Sequence, residues 1–104
     1  MTVSEVMKML CSRHTLQAQY EYAVACGMGR NSTKAAAMRR RIEEIDKIIN
    51  SVPDEVQRSV LVRRHINNQT IEQVAAAMFY SDRHIKRLQR EAVEWIAENI
   101  KTAE

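Results

Sequence analysis

Glycine and proline are almost missing from this chain of 104 residues, which has two of the first and one of the second. A sheet protein needs turn residues at short intervals, and too few are present here. What remains is rich in Ala, Ile, Val, Met, Arg and Glu, a mix that favours helix throughout. Aromatic residues are scarce as well, at 5% of the chain. The core is therefore modest, and pairing into a homodimer is one way to bury more apolar area. Long apolar runs are absent: no stretch nears the roughly 20 residues that a membrane span needs. Residues 1–10 carry Glu5 and Lys8, so they lack the apolar centre of a signal peptide. Cys11 and Cys26 match neither a zinc nor a CxxC spacing and read as reduced thiols. A soluble, cytoplasmic protein without a membrane partner is expected.

Catalytic patterns are missing too. His14, His65 and His84 lie on different helices, and none has a His or Cys three or four residues on. A metal site is not expected. The pairs Glu43-Glu44 and Asp54-Glu55 are sequence neighbours, which a helix points about 100° apart, so they do not form a catalytic carboxylate pair. Gly27 and Gly29 lack the preceding strand and following Lys-Ser/Thr of a phosphate loop and read as a turn. Nucleophile elbow and HExxH patterns are absent. The expectation is a non-enzymatic protein with no cofactor.

Periodicity divides the chain into helices. Thr2 and Glu5 have the spacing of a capping box, and a helix is expected from there to about Ala25. Its stripe is Val3, Val6, Met7, Leu10, Tyr20 and Val24, broken by polar Arg13, His14 and Gln17. Gly27 and Gly29 end it. A second helix starts at Asn31 or Ser32 and runs to about Asn50. In it Ala35, Met38, Ile42, Ile45, Ile49 and Val52 repeat at alternating spacings of three and four, the seam of a two-heptad coiled coil. This seam packs either on the first helix or on another copy of the chain. Arg39-Arg40-Arg41 crosses the same helix, either as a solvated face paired as Arg39–Glu43 and Arg40–Glu44 or as an auxiliary phosphate clamp. Pro53 at the first helical position, with Asp54 and Glu55 beside it, opens a third helix. Val56, Val60, Leu61 and Ile66 face inward there, and Asn67-Asn68 end it. His65 falls at its end, where a cationic ring suits the helix dipole. A flexible joint is expected at 50–52.

Residues 70–90 point to a function. Thr70 and Gln73 form a capping box, and Ile71, Val74, Ala75 and Met78 share one face. Phe79-Tyr80-Ser81 interrupts the pattern, with Ser81 as an N-cap and Asp82 in the first turn of a final helix. On that helix Ile85, Leu88, Ala92, Trp95 and Ile96 cluster on one side, and Arg83, Lys86, Arg87 and Arg90 on the other. The net charge is only +3, but residues 83–90 hold four cations and no acid. Such a face suits a polyanion, and a helix fits the major groove of DNA. A solvated basic face is the plain alternative.

The segment 60–92 resembles region 4 of bacterial sigma factors. It is still more similar to phage late-transcription regulators of the ArpU and RinA group. Arg64-His65-Ile66, Ile71-Glu72-x-Val74-Ala75, Met78, Tyr80-Ser81, Arg83 and Arg87 carry the likeness. It covers about a third of the chain. Phe79 stands where such motifs usually have glycine. A bulky residue at positive φ is costly, so the turn is expected to depart from the family's geometry. The resemblance implies activation of late genes such as packaging and lysis in a bacterial host cell, and contact with RNA polymerase.

The resulting expectation is an all-α chain: an N-terminal helical hairpin over 1–51, then a trihelical helix-turn-helix unit over 52–104. The expected function is sequence-specific binding of double-stranded DNA in transcription control. Arg83, Lys86 and Arg87 reach bases or phosphates, Arg90 a phosphate, and Thr70 and Ser81 the backbone. His84 flanks this face within reach of a phosphate or base. Two alternatives stay open. One is a small terminase subunit for phage DNA packaging. The other is a module that binds polymerase or a sigma factor without touching DNA.

Overall fold

The computed structural model describes residues 2–27 and 33–100. Every regular element among them is a helix, as composition predicts. They are α1 (Val3–Ala25), α2 (Thr33–Asn50), α3 (Glu55–Leu61), α4 (Ile71–Met78) and α5 (Asp82–Asn99). A π-helical turn over Val62–Ile66 continues α3.

The helix starts follow from side chains that satisfy free backbone donors. The Thr2 hydroxyl accepts from the Glu5 N–H at 3.2 Å and donates to the Glu5 carboxylate. Gly27 ends α1 at φ +84, in the left-handed region that glycine enters without strain. Gly29 and the expected start of α2 at Asn31 or Ser32 lie outside the described residues. Asp54 caps α3 by accepting from the Gln57 N–H at 3.0 Å. Pro53 therefore precedes the cap and does not take the first helical position, because the Asp54 carboxylate supplies the better start.

α1 and α2 pack through their apolar sides, and Arg13 bridges to Asp46. These two residues lie about equally far from the 26–32 connection, so the helices run in opposite directions. The α2 seam is used inside the chain: Ala35, Ile42, Ile45 and Ile49 are buried, and Met38 is half-buried. On α1 the buried set is Val6, Met9, Leu10, Arg13 and Ala23. Val3 is exposed, and Arg13, expected to interrupt the stripe, belongs to it. Its aliphatic stem can lie in the seam because its charge meets a carboxylate. Among the arginines of α2, Arg39 pairs with Glu43 at 3.9 Å as expected, whereas Glu44 pairs with Arg41 and not Arg40.

Two apolar clusters organise the packing, and α5 runs through both. Its first half contributes Ile85 and Leu88 to a cluster with Val60, Val74 and Ala75. Its second half contributes Ala92, Val93 and Ile96 to a larger cluster with Val6, Leu10, Ile45, Ile49, Val52 and Leu61. Val60 and Leu61 are neighbours, and the 100° step between them sends one side chain to each cluster. Val56, expected inward, is exposed. The segment expected to flex at 50–52 is packed: Val52 is fully buried and its N–H donates to Ile49 O at 3.3 Å. Residues on both sides of position 51 share one core.

Candidate functional site

The α4–α5 unit is positioned by caps at each start and by a left-handed residue between. Thr70 Oγ1 accepts from the Gln73 N–H at 3.1 Å, and Gln73 Oε1 accepts from the Thr70 N–H at 2.9 Å. Both halves of the capping box are thus formed. Ser81 caps α5 by accepting from the His84 N–H at 3.2 Å. Between them Phe79 takes φ +59 and ψ +39. The turn keeps the geometry that glycine normally supplies, contrary to the expected departure. The Phe79 and Tyr80 N–H groups both donate to Ala75 O, which holds the left-handed residue in place.

Arg64 braces this unit. Its Nη1 donates to Gln69 O at 2.9 Å and its Nε to Gln89 Oε1 at 3.3 Å. One guanidinium thereby ties the π-helical turn, the approach to α4 and the middle of α5. The π turn itself widens α3 by one residue, with the Asn67 N–H donating to Val62 O. Asn68 then turns the chain at φ +56. His65 lies in the π turn and is buried. Burial, with the adjacent Arg64 charge, lowers its pKa from 6.5 to about 4. The ring is neutral at pH 7, so the expected cationic complement to the helix dipole is not made. His65 Nε2 and Gln69 Oε1 are buried without a hydrogen-bond partner among the described residues.

Ser81, Arg83, His84, Lys86, Arg87 and Arg90 line one open groove along α5. Six of the seven expected contact residues are brought together. Thr70 lies apart at the start of α4. The side of α5 opposite the groove is buried through Ile85, Leu88 and Ala92, so the cations stand on a fixed support. Their surroundings differ. Arg87 Nε lies 3.7 Å from Glu91 Oε1, and Arg90 Nε lies 3.9 Å from Glu94 Oε1. Arg83 and Lys86 have no hydrogen bond or ion pair among the described residues and are exposed. The basic face is thus half neutralised. The acids come from the segment just after 83–90, one helical turn on.

His84 joins the turn to this face. Its ring meets Tyr80 edge-on, with centroids 4.6 Å apart, and Arg87 Nη2 lies 3.0 Å from its Nδ1. A guanidinium only donates, so Nδ1 is the acceptor in this contact. Tyr80 and Arg64, which the sequence offers only as residues that carry the family likeness, position the site. The i,i+4 spacing of Tyr80 and His84 was the available signal for the first. Arg64 bonds across long sequence separation, and no local pattern announces that.

Elsewhere, Cys11 and Cys26 are free and exposed. Trp95 is half-buried against the larger apolar cluster. Among the described residues, no three His, Cys, Asp or Glu side chains gather as a metal site, and no helix is long and apolar enough to cross a membrane. No family model, curated protein or solved structure matches this chain.

Proposed function

We propose that this chain is a sequence-specific, non-enzymatic DNA-binding regulator of transcription. In this reading α4 and α5 form a helix-turn-helix, α3 with its π turn completes the trihelical unit over 52–104, and α1 with α2 forms a supporting hairpin over 1–51. The observation that carries it is the division of α5: one side is anchored in the core, and the other presents Arg83 and Lys86 without acidic partners among the described residues. Such a helix can enter the major groove with unpaired donors at its leading end. Arg87 and Arg90 are held by exposed ion pairs worth only a few tenths of a kcal/mol, weak enough to be exchanged for phosphate. The likeness of residues 60–92 to phage late-gene regulators and sigma region 4 supports transcription control in a bacterial cytoplasm, with RNA polymerase as a second partner. Because the α2 seam is taken up by α1, a homodimer would use a different surface.

A second reading draws on the Arg87–Glu91 and Arg90–Glu94 pairs, which lower the positive charge of the face. In it the unit binds a protein, such as polymerase or a sigma factor, without touching DNA. Selection of binding sites from a randomised duplex pool with the full chain separates the two. The DNA reading expects a recurrent site. A chain that retains no duplex even at low salt, where phosphate attraction is strongest, favours the protein partner.

A further inference from the structure

Phe79 is the least economical residue in the fold. It occupies the left-handed region at φ +59, where side chains with a Cβ are strained. The other non-glycine residue described there is Asn68, a type that tolerates it. The Phe79 ring is also 93% exposed, so no packing within the chain offsets the strain. Glycine would serve the turn better, and asparagine nearly as well. The fold uses the left-handed turn but not the phenyl side chain, and a strained residue whose side chain is unused within the fold points to a contact outside it.

The position of the ring shows what it would meet. Phe79 is two residues before Ser81, so its Cα lies within about 7.6 Å of the α5 cap. Tyr80, between them, rests on His84 and fastens the turn to the basic groove. Arg83 and Lys86, the cations without partners among the described residues, follow within the first turns of α5. A polyanion drawn to them therefore passes close to the exposed Phe79. We propose that Phe79 is a specificity-determining residue that packs on a thymine methyl group at the edge of the site bound by α5. This rests on the DNA-binding reading and deepens it. A phenyl ring has no hydrogen-bonding group, so it cannot read the donors and acceptors of a base edge. The apolar feature that the major groove displays is the C5-methyl of thymine.

The test uses the full chain and a duplex carrying its selected site. Each thymine is replaced in turn by deoxyuridine, which removes only the methyl group. The unaltered protein should lose about fourfold in affinity at one position, the size expected for one buried methyl. The Phe79→Asn variant should lose that sensitivity and keep the rest of the profile. Its melting temperature should equal or exceed that of the parent, since Asn accepts the left-handed turn. A parent protein indifferent to every deoxyuridine overturns the inference. So does a variant with an unchanged profile, which would assign the ring to a protein contact. If the parent selects no site at all, the DNA-binding reading itself has failed, and this inference with it.

Discussion

Arg13 of α1 holds Asp46 of α2 with two nitrogens: Nε donates to Oδ1, and Nη2 donates to Oδ2 at 3.1 Å. Arg13 is buried, while the Asp46 side chain keeps some contact with solvent. The pair fixes the register of the two long helices, because a shift of either by one residue separates the charges. Replacing Asp46 by Ala leaves a buried guanidinium without its acceptor. The expected loss is about 1–3 kcal/mol, measured by denaturant titration. An unchanged midpoint would mean that the pair does not contribute.

The apolar seam makes the larger contribution. Ile45 is fully buried between α1 and the second half of α5. Ile45→Ala should cost about 2–5 kcal/mol through reduced burial and the cavity left behind. A cost near zero would place this side of α2 in solvent.

His65 makes stability depend on pH. Its pKa is near 4 in the folded chain, against 6.5 when unfolded. Above pH 6.5 neither state is protonated and the effect is absent. As pH falls from 6.5 towards 4, the unfolded chain takes up a proton that the folded chain resists, and stability declines. The full effect is about 3 kcal/mol at most. His65→Leu should flatten the stability profile in that window. A parent profile already flat from pH 7 to 4 would contradict the burial of a neutral ring.

Much of this architecture was legible because short-range physics wrote it. The Thr70–Gln73 box, the Ser81 cap and the division of α5 into apolar and basic sides follow from local spacing, and the structure has them. The α2 seam was legible as a stripe, but its partner was not, since a heptad stripe fits α1 or a second copy equally. Arg13 was misread because a charged residue looks out of place in an apolar stripe until Asp46, 33 residues away, is known to face it. The π turn packs mainly on α1, far from it in sequence, and no local pattern announces that contact or the burial of His65. Phe79 was expected to alter the turn. Instead, backbone bonds to Ala75 impose the glycine geometry on it, and the strain stays in the residue.

The proposed DNA recognition rests on Arg83 and Lys86, the exposed cations of α5 that have no acidic partner among the described residues. The most direct measurement compares the full chain with its Arg83→Ala/Lys86→Ala variant on selected and scrambled duplexes at two salt concentrations. Affinity for the selected duplex should fall about tenfold or more. The salt slope should drop by about one unit for each phosphate that the variant no longer neutralises. Stability should stay within about 0.5 kcal/mol, because neither side chain packs in the core. Unchanged affinity and salt slope in the double variant would contradict DNA recognition by this helix.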